Sequence, residues 1–169
     1  MRLRPAAQTD TEIIARVHRA SIEGLCREAY SAEDIAGWTA LLEPEIYDNA
    51  IQEKIMLVAE DGGEIRGMGI LDLKDGEVHA VYVHPDAAGQ GLGQKILAEL
   101  EKRALGNGVE RLILSSTLNA VGFYKKHGYR EEGRTVYQLS NGVKLDCVRM
   151  HKILINPDRQ DSEFPNDQD

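Results

Sequence analysis

The run His84-Pro85-Asp86-Ala87-Ala88-Gly89-Gln90-Gly91-Leu92-Gly93 lies between a strand-like segment and an amphipathic helix-like one. The segment before it, Glu77–Val83, carries β-branched and aromatic residues near its end and reads as a strand. After it, Leu92, Ile96, Leu97, Leu100 and Ala104 fall on one face of a helix, with Glu99 and Arg103 paired on another. A turn from His84 to Gly89 that feeds a helix near Gly91 leaves several backbone N–H groups free at one helix N-terminus. Those groups and the helix dipole attract a diphosphate. Gly89, Gly91 and Gly93 lack a Cβ, so phosphate oxygens can approach the backbone closely.

Spacing tests two familiar phosphate loops against this turn. A P-loop needs Gly-Lys followed by Ser or Thr, whereas Gly93 is followed by Gln94-Lys95-Ile96. A dinucleotide fingerprint needs G-x-G-x-x-G early in a domain and an acid ending the next strand. Here the spacing is G-x-G-x-G, the turn is mid-chain, and the next strand, Arg111–Ser116, ends in two serines. Both fit badly.

The rest of the chain frames the turn. Arg2–Pro5 reads as a short strand, and Thr9 with Glu12 as a capping box for a helix over about 10–24. A second helix starts at Ser31, with an acid at Asp34, and is interrupted by Pro44. Ile55–Glu60 and Ile65–Leu73 form a hairpin about Asp61-Gly62-Gly63, and Lys74-Asp75-Gly76 turns into the strand Glu77–Val83. A short helix is expected over Asn119–His127, capped by Gly128. Strands Val136–Leu139 and Val143–Ile153 close on Ser140-Asn141-Gly142. The order β-α-α-β-β-β-α-β-α-β-β implies an α/β (α+β) fold with a mixed sheet, parallel where a helix crosses over.

One domain over residues 1–155 is expected, followed by an acidic, disordered tail over 156–169. That tail holds five acids against Arg159, a net of −4, so half of the formal charge of −8 belongs to it. No basic stripe suggests nucleic acid. No apolar run approaches the roughly 20 residues that span a bilayer, and the N-terminus lacks a signal core. Cys26 and Cys147 stand far apart and suggest neither a disulfide framework nor a metal site, and a cytoplasmic setting fits. His18 and His151 are scattered and add no metal set.

Val81-Tyr82-Val83-His84-Pro85, the glycine turn, its helix, and then Phe123-Tyr124 with Lys126-His127-Gly128-Tyr129 resemble the core of the GNAT acyltransferases. The resemblance covers residues 2–153 in element order and about 77–130 in motif detail. It implies a central sheet of about six to seven strands, flanking helices and a splayed parallel pair that binds acetyl-CoA, the donor substrate, with no metal. The family signature Q/R-x-x-G-x-G/A maps onto Ala88-Gly89-Gln90-Gly91-Leu92-Gly93, with Gln94 following. Ala88 departs from it, removing one polar or cationic side chain near the phosphates. By the same resemblance Val81, Tyr82 and Val83 bind the pantetheine arm as an added strand would, and Thr117 or Asn119 contacts that arm.

Amine acylation needs a neutral amine, a polarised thioester carbonyl and a proton for the leaving thiolate. The resemblance gives the carbonyl oxygen to a backbone N–H, Val83 by expectation, and the thiolate proton to Tyr124, which also touches the donor. The base is open. A branch of the family with the local pattern H-A-x-x-V-H uses a histidine at the position of His79 in its proton path. Strand alternation puts His79 and Glu77 on one face with Val81 and Val83. Other members carry a glutamate where this chain has Leu112. Trp38, Tyr30 and Tyr47 are candidates for the acceptor pocket, and Glu33, Asp34, Glu43 and Glu45 for attracting an amine.

The resulting expectation is direct acetyl transfer to a primary amine, on a small molecule or a protein, in a monomer or a homodimer of the kind common among these relatives. A non-catalytic acyl-CoA-binding domain and a nucleotide-binding module are the rivals.

Overall fold

The structure, a computed structural model, describes residues 1–155. The acidic tail expected from residue 156 lies outside the described residues. Among the described residues the strands are β1 (Arg2–Pro5), β2 (Ile55–Asp61), β3 (Glu64–Asp72), β4 (Glu77–Val83), β5 (Arg111–Thr117), β6 (Arg130–Gln138) and β7 (Lys144–Ile153). They form one sheet in the order β1-β2-β3-β4-β5-β7-β6. Every neighbouring pair is antiparallel except β4 and β5, which are parallel across the crossover helix. The helices are α1 (Thr11–Leu25), α2 (Ala32–Thr39), α3 (Asp48–Glu53), α4 (Leu92–Gly106) and α5 (Val121–Lys126).

The apolar stripe of α4 explains its place. Leu92, Ile96, Leu97, Leu100 and Ala104 are all buried against Leu57, Leu71, Leu112, Leu114 and Met150 of the sheet. β3 admits the helix closely because Gly69 has no side chain there. A Cβ at Gly69 would lie 2.5 Å from Ile96 Cγ2 and 3.1 Å from Leu100 Cδ1. Gly69→Ala should therefore cost about 1–3 kcal/mol by overpacking. A urea melt reads this directly, and a loss under about 0.5 kcal/mol would show that the helix can retreat without cost.

α1 and α3 cover the opposite face, where Ile14, Val17, Tyr47 and Ala50 pack on Met56, Val58 and Met68. The start of α1 differs from expectation. Thr9 and Glu12 do not form the capping box. Instead Asp10 reaches back to the Ala7 N–H at 2.8 Å and takes two bonds from Arg4. The nearby guanidinium holds the Asp10 carboxyl below its ordinary value, so charge pairing with β1 decides which acid turns inward. At α2 the expected cap is present, with Ser31 Oγ accepting from the Asp34 N–H at 3.1 Å.

Two elements were longer or more numerous than the sequence pattern indicated. Pro44 does not simply end the helical region, because it opens a one-turn helix, Pro44–Tyr47, at its first position, and α3 follows. β6 begins at Arg130, not Val136, and is exposed along its whole length. An edge strand wetted on both faces carries no alternating apolar signal.

Candidate active site

β4 and β5 pair at a single position, Glu77 with Ile113, and then part. From there β5 follows β7 as far as Thr117–Cys147, while β4 follows β3 as far as Val83–Gly67. Across the β3–β4 hairpin the His84 N–H donates to Arg66 O at 2.8 Å. Successive N–H groups of a strand alternate in direction, so those of Val83 and Val81 point away from β3 into the opening. β5 gives them no partner there.

The opening widens into a cleft of about 480 Å³. Val81, Tyr82 and Val83 form one wall, and Thr117 and Asn119 another. Gly89, Gly91, Leu92, Gly93 and Gln94 form its mouth at the N-terminus of α4. Gly89 and Gly91 adopt φ values of 73° and 81°, and Gly91 is the N-cap of α4. These conformations turn successive N–H groups toward the mouth, the arrangement that holds an anion.

Two of the expected donor-site residues lie elsewhere. The Gln90 side chain bonds back to Asp86 O at 3.1 Å. Tyr124 does not line the cleft. It is 7% exposed in the core beneath, edge-on to Phe123 at 5.1 Å and to Tyr129 at 5.5 Å, and burial pushes its phenol well above the ordinary value. The cleft also gains residues that sequence reading missed. Ser21, Leu25 and Cys26 come from the end of α1, and Phe123, Lys126 and His127 from α5. The α5 residues flank the tyrosine motif and could have been found from it. The α1 residues arrive only through tertiary packing.

A second cavity of about 380 Å³ lies on the α1 side of the sheet. Tyr82 and Thr117 line both cavities, so the two adjoin at the splay. Tyr30, Trp38 and Tyr47 line the second cavity, as expected, whereas Glu33, Asp34, Glu43 and Glu45 do not. Its carboxylate is Glu77. Tyr30 braces the wall, its hydroxyl donating to Asp146 O and accepting from the Leu118 N–H at 3.1 Å.

Glu77 and His79 also line this cavity, and here simple alternation fails. The β3–β4 register passes from Ile70–Ala80 to Leu71–Val78, leaving His79 as the extra residue of a β-bulge. The bulge reverses the parity of everything after it. Val81 and Val83 pack into the core under α4, as Val78 does, while Glu77, His79, Ala80 and Tyr82 line the other cavity, whose edge Val78 also reaches. The expected common face of Glu77 and His79 with Val81 and Val83 is therefore corrected.

A polar network runs along one solvent-accessible side of the cavity. Glu77 Oε1 accepts from Arg149 Nη1 at 3.1 Å, and the same nitrogen donates to Ser115 Oγ at 3.2 Å. Lys54 Nζ lies 3.1 Å from His79 Nδ1 and 3.5 Å from Asp72. An ammonium only donates, so Nδ1 accepts and the ring proton sits on Nε2, 3.8 Å from Glu77 Oε2. The structure thus brings His79 and Glu77 together as a pair.

His18, which offered no chemistry as a sequence position, also lines this cavity. Its ring lies tilted against Tyr82 at 4.1 Å and its Nδ1 lies 2.9 Å from the Tyr47 hydroxyl. Burial pushes its pKa down to about 3. In the unfolded chain the ordinary value near 6.5 applies. Below pH 6.5 the unfolded state therefore takes up a proton that the folded state refuses. Stability present above pH 6.5 is lost as pH falls toward 3, by about 2 kcal/mol at pH 5. Urea melts at pH 7.5 and 5.0 should show this loss in the wild type and not in His18→Phe. Equal losses in both would show that His18 titrates as an exposed residue.

The comparisons with known proteins agree with this geometry. The family model described as the acetyltransferase (GNAT) domain matches residues 26–154. The uncharacterized N-acetyltransferase YjcF of Bacillus subtilis is 38% identical over 90 residues, which are 52% of this chain and 64% of that protein. Acetyltransferase ECA0875 of Pectobacterium atrosepticum is 30% identical over 106 residues, 60% of this chain and 66% of that protein. The chain thus spans just under two thirds of the length of these two relatives. Among solved structures, the GCN5-related N-acetyltransferase of Rhodopseudomonas palustris superposes with a TM-score of 0.85 at 28% identity, covering 90% of this chain and 95% of that one. The PaiA N-acetyltransferase of Thermoplasma acidophilum, solved with coenzyme A, shares the fold with a TM-score of 0.74 at 23% identity, over 90% and 98% of the two chains. With a splayed β4–β5 pair, a glycine-capped α4 and a family match that runs through both, the chain belongs to the GNAT acetyltransferases.

Proposed function

We propose that the protein is an acetyl-CoA-dependent N-acetyltransferase that moves the acetyl group directly to a primary amine. The observation that carries this reading is the meeting of two cavities at the splay, one with a glycine cradle at its mouth and one with a carboxylate and a histidine in its lining. The cradle of residues 89–94 holds the pyrophosphate. Val81 and Val83 bind the pantetheine arm through their free N–H groups, and Thr117 or Asn119 contacts the arm from the other side. The amine enters from the α1 side.

In the reaction the amine nitrogen attacks the thioester carbon, the C–N bond forms and the C–S bond breaks. An N–H in the splay, of Val83 or Val81, holds the carbonyl oxygen as negative charge builds on it. Glu77 Oε2 takes the proton that the ammonium must lose, with the His79 Nε2–H turned toward it, because the Lys54 ammonium already occupies the His79 Nδ1 lone pair. Tyr124 gives a proton to the departing thiolate, and the second proton lost by the acylated nitrogen restores the phenol. Burial raises this phenol above its ordinary value, which keeps the proton in place at neutral pH and makes the tyrosine a weaker acid toward a thiolate than an exposed phenol. No step asks the protein for a metal, and the cytoplasm is the compartment where the reaction is placed.

Incubation of acetyl-CoA with a panel of primary amines tests the reading. Thiol release in step with N-acetylated product is expected. A second reading, a non-catalytic acyl-CoA-binding domain, is favoured by the seat of Tyr124 beneath the cleft instead of on its wall. Tight CoA binding without thiol release for any amine would select it. A nucleotide module would prefer ATP or NAD to CoA in competition.

Ala88 lines the cleft where the family has Gln or Arg. Across the cleft, Lys126 lines the other wall and has no ion-pair partner among the described residues. Ala88→Arg should tighten CoA binding about 3–10-fold, since a charge-assisted bond adds about 1 kcal/mol or more. Calorimetric titration reads this, and an unchanged Kd would mean that the backbone cradle already saturates the phosphates.

A further inference from the structure

The second cavity also constrains the acceptor, and this inference rests on the acetyl-transfer reading above. Its lining includes no lysine or arginine, and its one carboxylate, Glu77, is already bonded to Arg149. Two cations just behind the lining are committed as well, Arg149 to Glu77 and Ser115, and Lys54 to His79 and Asp72, while Arg19 acts on the Tyr47 hydroxyl from outside the lining. An acceptor bearing a phosphate or carboxylate would bury that charge without a counter-ion. An acceptor bearing a second ammonium would find no free carboxylate to meet it.

The wall offers something different. Trp38 stands edge-on to Tyr30 at 5.9 Å and to Tyr82 at 6.4 Å, and the His18 ring lies tilted against Tyr82 at 4.1 Å. His18 is held neutral by burial and adds no charge. Ile70 and Leu145 extend the apolar surface. Aromatic and aliphatic walls reward an apolar body, and they tolerate a single ammonium before it is deprotonated. A cavity of about 380 Å³ is at the small end of the range that takes a small molecule.

We propose that the acceptor is a small monoamine with an apolar or aromatic body and no anionic group. Its body lies against Trp38, Tyr30, Tyr82 and His18, and its nitrogen reaches the seam at Tyr82 and Thr117.

The protein has a single tryptophan, and it lies in this wall, so occupancy can be read without turnover. The full-length protein is titrated with 2-phenylethylamine, spermidine, glucosamine 6-phosphate and free lysine in the presence of CoA, and Trp38 emission is followed. The same four amines are assayed for acetyl transfer. The expected result is a saturable change in emission with 2-phenylethylamine alone, and a kcat/KM for it at least about 50-fold above the other three. Trp38→Ala should raise its KM about tenfold or more and leave the KM for acetyl-CoA unchanged. Equal or better turnover of spermidine, glucosamine 6-phosphate or lysine overturns the proposal while leaving acetyl transfer intact. Saturable binding of 2-phenylethylamine with no transfer to any amine supports the class of amine the cavity binds, and overturns both the catalytic reading and the role of that amine as acceptor. No change in Trp38 emission with any of the four overturns the proposal.

Discussion

Gly91→Val should weaken CoA binding about 100-fold or more. Gly91 holds φ at 81° and ψ at 8°, in the left-handed region, at the N-cap of α4. A Cβ there meets nothing within 4 Å, so the substitution causes no clash. The cost is in the backbone, about 1–2 kcal/mol for a residue with a Cβ in that conformation, and more for a β-branched one. The turn relieves it by rotating, and the N–H groups then leave the cradle. Each hydrogen bond to a charged group is worth about 1.5–3 kcal/mol, so losing two gives the stated factor. The site lies on an exposed turn, and the melting temperature should move by only a few degrees. Gly106→Ala is the control, since Gly106 keeps a negative φ at the far end of the same helix and has open space around it. A Kd for Gly91→Val within threefold of wild type would mean that the cradle does not bind the donor.

Tyr124→Phe should lower kcat about 100-fold with the Kd for CoA unchanged. General acids contribute about 10²–10⁴ to such steps, and burial keeps this phenol protonated throughout the neutral range. The ring would keep its packing against Phe123 and Tyr129, so stability should hardly change. A purely structural role is separated by the leaving group. An acetyl thioester of an acidic aromatic thiol needs little help from an acid, and the variant should lose much less with that donor. Equal losses with both donors would remove Tyr124 from proton transfer.

Much of the donor side was legible because its signals are local. β4 runs over the residues that its composition indicated, and α4 begins where Gly91 caps it. The splay follows from a parallel pair with a phosphate turn at its end, and the resemblance supplied its meaning. The acceptor side depends on features without a local signature. The bulge at His79 inserts one residue into a period-2 pattern, and only pairing with β3 reveals it. Asp10, not Glu12, turns inward because Arg4 on β1 is there to meet it. His18 becomes part of a cavity wall because α1 packs across β4, which brings it onto Tyr82. The acids of the α2 region looked suited to an amine, yet they lie outside the cavity while Glu77 lies in it.

Amide hydrogen exchange with and without acetyl-CoA tests the central claim most directly. The account predicts slowed exchange at Val81 and Val83 and across residues 89–94, with little change on β1, β2 and β6. Binding that leaves those amides unprotected, or protects only residues distant from the β4–β5 opening, would contradict it.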